Sequence, residues 1–128
     1  AWTDPSTPLD AVEVALASGC VVVVDLLHHV RVGAGVNELH AVVASGALAW
    51  VQLCDAPLVA PRDGDLIAEA RHGRMVPGAG ELPLAELLAC VPDDATISVE
   101  VQSDELLALD ANDRAALLYG AARSIVGR

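Results

Sequence analysis

Hydrophobic positions recur along this chain in two different periods. Residues 8–18 carry apolar side chains at helical spacing behind a threonine and a proline, which predicts a helix with Thr7 as its N-cap. Residues 20–25 form a short, continuous apolar run that ends at Asp25, which predicts a fully buried strand. Helix-like and strand-like segments then alternate to the end of the chain.

The later segments extend this alternation. In chain order we expect a helix at 37–45, a strand at 47–54, a short helix at 64–73, a helix at 82–90, a strand at 97–101 and a C-terminal helix. Prolines and glycines around Met75 predict an ordered loop at 77–80. Strands that alternate with helices of this length imply right-handed βαβ units, so the predicted fold class is α/β with about three parallel strands.

Polar residues lie at the end of each predicted strand. The first strand ends at Asp25 with His28 after it, the second has Gln52 near its end with Asp55 after it, and the third contains Glu100. Ligands of parallel α/β sheets bind beyond the carboxyl ends of the strands, so these side chains are expected at one mouth. Carboxylate oxygens with an imidazole or an amide make a mixed shell that suits Mn, Mg, Co or Zn. The pattern therefore predicts a divalent-metal site.

Each of these residues also has a structural interpretation. Asp25 is as well suited to cap a following helix or to pair with an arginine as it is to bind a metal. His29 fits a packing or surface histidine, and strand alternation turns Cys54 away from Asp55. Glu100 is the most specific candidate, because a carboxylate in the middle of the apolar strand ISVEV is costly unless it is paired or bound to a metal.

Composition narrows the functional classes. The 128 residues fit one domain, and 54% of them are apolar. A net charge of −11 disfavours a nucleic-acid partner, and the absence of lysine excludes Schiff-base chemistry and a P-loop. Three isolated cysteines indicate a reduced, cytoplasmic protein. No signal peptide or membrane span is expected, and a start without methionine fits a processed chain or a piece of a longer one.

Four segments resemble, in order, motifs of the sugar phosphate isomerase/epimerase family, which has a xylose isomerase-like (β/α)8 barrel. VVVVDLLHHVRVG is similar to the D-x-x-H-x-x-R-x-G segment of that family, and WVQLCDAP is similar to its next strand. GRMVPGAGELPL resembles the R-x-x-P-G-x-G-E loop, and ISVEV resembles the last catalytic strand. The resemblance spans the chain and implies the C-terminal portion of a TIM barrel.

The resemblance also implies roles for individual residues. Asp25, Gln52 and Glu100 would hold the divalent metal, and Glu100 would be one of two glutamates that move protons beside a carbonyl. Gln52 stands where the best-known epimerases have histidine, and an amide oxygen is a weaker ligand than an imidazole.

Three further residues would bind substrate by the same resemblance. His28 and Arg74 would hold the hydroxyl and carbonyl oxygens, and Asp55 would lie at the rim. Arg31 and Arg74 are the arginines able to meet a substrate phosphate or hydroxyl.

The chain is about half as long as a complete barrel of that family. A (β/α)8 barrel takes about 250 residues, so residues 1–128 would form one partial domain with strands six to eight. Residues 1–3 resemble those that follow the glutamate of the fifth strand, which would be the second proton-transfer base and a metal ligand. We therefore expect either a fragment of a longer protein or assembly with a missing barrel half or with another copy.

The expected function is that of a metal-dependent isomerase or epimerase segment in carbohydrate metabolism, acting on a small sugar or keto-polyol and incomplete as this chain. A dehydratase of the same family would form the same enolate, and the sequence does not distinguish this activity from that of an isomerase or epimerase. The sequence is also compatible with a non-catalytic half-barrel that binds or dimerises, and with a small independent α/β domain.

Overall fold

Three parallel strands form one sheet in the order β1-β2-β3. The computed structural model describes residues 6–62 and 65–127, so the N-terminal resemblance at residues 1–3 lies outside the described part. The strands are β1 Val22–Asp25, β2 Leu48–Leu53 and β3 Thr96–Val99. The predicted parallel α/β sheet is confirmed.

Helices connect and flank these strands. They are α1 Pro8–Ser18, α2 Leu26–Arg31, α3 Val36–Ala44, α4 Leu66–His72, α5 Leu84–Leu88 and α6 Ala111–Val126, with a 3₁₀ turn at Glu105–Ala108. Two of these elements, α2 and the 3₁₀ turn, were not expected from the sequence. None of the helices within the described ranges is long and apolar enough to cross a membrane.

Local chemistry sets the bounds of α1. The Thr7 hydroxyl accepts a hydrogen bond from the backbone N–H of Asp10, and the Asp10 carboxylate accepts one from the backbone N–H of Thr7. This reciprocal capping box satisfies two N–H groups that a helix start leaves unpaired. Gly19 ends the helix at a φ of 72°, which a side chain would disfavour.

The core lies between one face of the sheet and the helices. Val51 and Leu53 of β2 and Leu39 and Val42 of α3 are fully buried in it. On the opposite face of the sheet, Trp50 stays 39% exposed. The sheet is thus covered on one side by this part of the chain and open on the other.

A buried ion pair fastens α2 to α4. Two guanidinium nitrogens of Arg31 donate to the two carboxylate oxygens of Glu69 at 2.8 and 2.7 Å. The remaining donors reach the carbonyl oxygens of Pro57 and Leu58. The hydrogen bond to Glu69 raises the pKa of Arg31 further above its ordinary value. Arg31 thus donates four hydrogen bonds within the protein, a structural role that the sequence did not predict for it.

Removing one partner of this pair tests its contribution to folding. We expect Arg31→Met to lower the free energy of unfolding by about 3–5 kcal/mol, because the Glu69 carboxylate is left buried without a counter-charge. Urea denaturation followed by circular dichroism measures the loss. Arg71→Met, at an exposed position of α4, is the control and should change stability by less than about 0.5 kcal/mol. A loss below about 1 kcal/mol for Arg31→Met would contradict a structural role.

Candidate functional site

The ends of the three strands bring three of the predicted residues side by side. Asp25 is paired in register with Gln52 across β1 and β2. The Gln52 amide nitrogen donates to a carboxylate oxygen of Glu100 at 2.5 Å, and the Glu100 backbone N–H donates to the carbonyl of Leu53 at 3.1 Å. Residues far apart along the chain therefore meet at the carboxyl edge of the sheet.

The position of Glu100 differs from the sequence expectation in one respect. Strand β3 ends at Val99, so Glu100 lies one residue beyond the strand and is half-buried, not enclosed in its apolar middle. Its second oxygen accepts a weaker contact of 3.4 Å from the Gln102 amide. Glu100 therefore has amide donors around a carboxylate that is only half-buried.

Asp25 has two structural roles at once. One carboxylate oxygen accepts from the backbone N–H groups of Leu27 and His28, at 2.9 and 3.2 Å, and so caps α2. The other accepts from a guanidinium nitrogen of Arg74 at 2.6 Å, in a pair whose side chains are both buried. The two structural interpretations of Asp25, a helix cap and an arginine partner, thus hold together.

Arg74 connects the loop after α4 to the strand ends. Its Nε donates to the carbonyl of Ala70, and a terminal nitrogen lies 3.4 Å from Nε2 of His28. Burial opposes the charge on Arg74, but the charge of Asp25, its hydrogen bond and the neighbouring Cys54 together raise the pKa of the guanidinium above its ordinary value. We refer to Asp25, Gln52, Glu100 and Arg74 as the strand-end cluster.

His28 lies at the border of this cluster on α2. Burial lowers the pKa of its imidazole below the ordinary value, Arg74 acts in the same direction, and Asp25 opposes both. The ring is therefore neutral at pH 7 and can both donate and accept a hydrogen bond. A neutral imidazole beside a guanidinium suits the recognition of hydroxyl or carbonyl oxygens.

Asp55 is not part of the cluster. It is 1% exposed, and one of its oxygens accepts from the backbone N–H groups of Gly78 and Gly80 while the other accepts from those of Ala56 and Leu82. Four such bonds use the carboxylate fully. Asp55 therefore organises the predicted proline- and glycine-rich loop and offers no free oxygen to a substrate, unlike the rim role expected from the resemblance.

Sequence reasoning missed the partner of Arg31, and it left open whether His29 packs in the interior or lies at the surface. Glu69 lies in a short helix whose acids looked solvated, and only the structure brings it against Arg31. His29 is 3% exposed, and its Nε2 lies 2.8 Å from the carbonyl oxygen of Gly35. No local pattern distinguishes a buried histidine from a surface one in the run HHVR, so burial had to come from tertiary packing.

The donor set of the cluster matches a divalent metal in type but not in number. Asp25, Gln52 and Glu100 offer two carboxylates and one amide oxygen on adjacent strands, which is part of an oxygen-rich shell. Within residues 6–62 and 65–127, no group of three or more histidine, cysteine, aspartate or glutamate side chains could hold a metal ion. Water would occupy the remaining positions of a shell built on these three side chains.

Comparisons with known proteins identify the fold. No protein-family model matches this chain, and no curated protein matches it significantly. The IolI protein, whose crystal structure contains a zinc atom, superposes with a TM-score of 0.78 at 19% identity, covering 93% of this chain and 43% of IolI. A xylose isomerase domain protein from Alicyclobacillus acidocaldarius gives a TM-score of 0.68 at 20% identity, covering 94% of this chain and 43% of that protein.

The chain therefore spans less than half the length of the solved structures it matches. At this identity the likeness shows the fold, and it confirms the predicted resemblance to xylose isomerase-like barrels at that level. The predicted fold class, a portion of a TIM barrel with three parallel strands, is confirmed as well.

Adding a methyl group at Gly80 tests how closely the loop bound by Asp55 packs against Asp55 and Ala56. A Cβ there would lie 2.5 Å from an Asp55 oxygen and 2.5 Å from the Ala56 carbonyl. We expect Gly80→Ala to lower the free energy of unfolding by about 1–3 kcal/mol. Gly120→Ala is the matched control, because nothing lies within 4 Å of its Cβ position in α6, and it should raise stability by up to about 1 kcal/mol. Equal effects of the two substitutions in thermal unfolding would contradict the close approach.

Thiol reactivity tests the environment of Cys54 beside Arg74. Burial raises the pKa of the Cys54 thiol to about 12, whereas Cys20 is exposed. We expect a water-soluble disulfide reagent at pH 8 to modify native Cys20 at least about 100-fold faster than Cys54, since the thiolate is the nucleophile. Peptide mass spectrometry assigns the rates. Comparable rates in the folded protein would contradict the enclosed position, and comparable rates in denaturant are expected.

Proposed function

We propose that this chain is the C-terminal portion, strands six to eight, of a sugar isomerase or epimerase barrel that acts on a small sugar or keto-polyol. The observation that carries the proposal is the strand-end cluster: Gln52 lies in register with Asp25 and donates a hydrogen bond to Glu100. Polar side chains on three adjacent strand ends of such a fold are where its chemistry is carried out. The likeness to a xylose isomerase domain protein supports the substrate class.

The two carboxylates of the cluster suit different tasks. Asp25 is held by Arg74 and by the start of α2, so it is a fixed group. Glu100 has no arginine within ion-pair distance among the described residues, and its side chain accepts hydrogen bonds from the amides of Gln52 and Gln102. Glu100 is therefore the group proposed to take a proton from a carbon beside a carbonyl and return it.

Arg74 and His28 are proposed to orient the substrate. The guanidinium has a nitrogen 3.4 Å from His28 Nε2, and the neutral imidazole can exchange donor and acceptor roles. Together they match two neighbouring oxygens of a hydroxy-ketone, one needing a donor and the other needing a donor or an acceptor. Their rigidity, set by Asp25 and by the carbonyl of Ala70, would limit the loss of entropy on binding.

A divalent metal, one of Mn, Mg, Co or Zn, is proposed to complete the site. Asp25, Gln52 and Glu100 would supply three of its ligands, and the crystal structure of IolI with zinc supports a metal of this class. When bound, the metal would polarise the substrate carbonyl and the neighbouring hydroxyl. Two carboxylates and one guanidinium leave one negative charge in the cluster, which favours a further cation.

Two rival functions are compatible with the same site. A dehydratase would use the same residues and differ in expelling a hydroxyl from the enolate. A non-catalytic half-barrel that binds or dimerises would have the same strand ends without turnover.

Calorimetric titration with Mn²⁺ separates the proposal from the non-catalytic half-barrel. We expect binding to the chain that weakens by at least about tenfold in Asp25→Asn and in Glu100→Gln, since each change removes a ligand charge. Glu86→Gln, which neutralises an exposed carboxylate on α5, is the matched control and should leave the affinity unchanged. Absence of binding, or binding that Glu100→Gln leaves intact, would contradict a metal site at the strand ends.

A further inference from the structure

A cavity of about 490 Å³ beside Glu100 also contains two guanidinium groups. Its lining includes residues of α4, of α6, of the 3₁₀ turn and of the segment that follows β3. Glu100 and Gln102 line it together with Arg71, in the last turn of α4, and Arg114, near the start of α6. The group proposed to transfer a proton therefore shares one cavity with two arginines from different helices.

These two arginines differ from the other arginines of the site in having no carboxylate partner. Arg31 and Arg74 are each paired with a buried carboxylate. In the part of the chain that the structure describes, the side chains of Arg71 and Arg114 make no hydrogen bond and no ion pair. Arg114 is half-buried and Arg71 is exposed. Since acidic residues outnumber arginines by 18 to seven in this chain, two unpaired guanidiniums on one cavity indicate a site for an anion.

The two acidic side chains of the cavity already have other partners. Nδ1 of His72 lies 3.1 Å from a carboxylate oxygen of Asp104. The carboxylate of Glu100 accepts hydrogen bonds from the amides of Gln52 and Gln102. Among the described residues neither acid lies within ion-pair distance of the two arginines. The donors of both arginines are thus available to a ligand.

The end of α4 is held against the segment that follows β3. The backbone N–H of Asp104 donates to the carbonyl of His72 at 3.1 Å, and the N–H of Arg74 donates to the carbonyl of Gln102 at 3.0 Å. Arg71 directly precedes these contacts, so its backbone has a fixed position relative to the end of the strand. A site that is organised before its ligand arrives loses less entropy on binding.

The charges that line the cavity favour a carboxylate over a phosphate. The two arginines supply two positive charges, and Glu100 and Asp104 supply two negative ones. His72, beside Asp104, adds a positive charge only when it is protonated. The lining therefore carries a net charge between zero and +1. A carboxylate changes this balance by one charge, whereas a phosphate ester near pH 7 brings almost two negative charges into a chain whose net charge is already −11.

We propose that this cavity is an anion subsite in which Arg71 and Arg114 bind the carboxylate of a sugar acid. The N–H donors of a guanidinium match the two oxygens of a carboxylate in spacing and in charge. A substrate anchored at the two arginines extends its carbon chain toward Glu100, which lines the same cavity. The sugar part of this inference rests on the proposed function, whereas binding of the carboxylate requires neither a metal nor proton transfer.

Three sugars that differ at one carbon test the subsite. D-Glucose, D-glucuronate and D-glucose 6-phosphate are each titrated into the metal-free chain in EDTA, and backbone amide shifts measured by NMR give the dissociation constants. We expect glucuronate to bind at least about tenfold more tightly than glucose, because its carboxylate adds charge-assisted hydrogen bonds to the arginines. Glucose 6-phosphate should bind more weakly than glucuronate.

Substitution of each arginine locates the binding. We expect Arg71→Gln and Arg114→Gln each to reduce the preference for glucuronate over glucose by at least about fivefold, since each removes a charged donor. Arg123→Gln is the matched control, because Arg123 is exposed on the same helix as Arg114 and lies outside the cavity lining. It should leave all three affinities unchanged. Circular dichroism checks that each variant is folded.

The opposite results overturn the proposal in distinguishable ways. Equal affinities for glucose and glucuronate, or a preference that both Arg71→Gln and Arg114→Gln leave intact, would contradict the anion subsite. Tighter binding of glucose 6-phosphate than of glucuronate would contradict the assignment to a carboxylate. Because the titrations exclude metal and no variant alters Asp25 or Glu100, these outcomes are separate from failure of the Mn²⁺ site.

Discussion

The parallel pairing of three short strands is the constraint on which the rest of this structure depends. Parallel register brings the carboxyl ends of β1, β2 and β3 to one edge, so Asp25, Gln52 and Glu100 become neighbours although up to 75 positions separate them in the sequence. A shift of one residue in any strand would turn these side chains to the opposite face. The apolar residues between them, such as Val51 and Leu53, fix the register by filling the core.

Carboxylates in this protein are used in three different ways, and the difference follows from their partners. Glu69 and Asp25 each neutralise a buried arginine, which is the condition under which such a charge is tolerated inside a protein. Asp55 is satisfied by four backbone N–H groups and shapes a loop. Of these four carboxylates, Glu100 is the one that is partly exposed and that accepts its side-chain hydrogen bonds from amide side chains. This combination makes Glu100 the candidate for proton transfer.

Sequence patterns predicted the parts of the fold that local chemistry decides. The bounds of α1 follow from the Thr7 cap and Gly19, and the apolar runs correctly predicted a parallel sheet. Helix α2 was missed because Asp25 caps it directly at the end of the strand, leaving no loop between the two elements. The partners of Arg31 and Asp55 depend on long-range packing, so no spacing rule could assign these residues to structural roles.

A double-mutant cycle on Gln52 and Glu100 tests most directly whether the strand ends converge. The free energies of unfolding of Gln52→Ala, Glu100→Ala and the double variant give the coupling between two residues that are 48 positions apart. We expect a coupling of about 1 kcal/mol or more, as for a hydrogen bond to a charged group. Additive effects within about 0.3 kcal/mol would contradict the convergence and, with it, the candidate site.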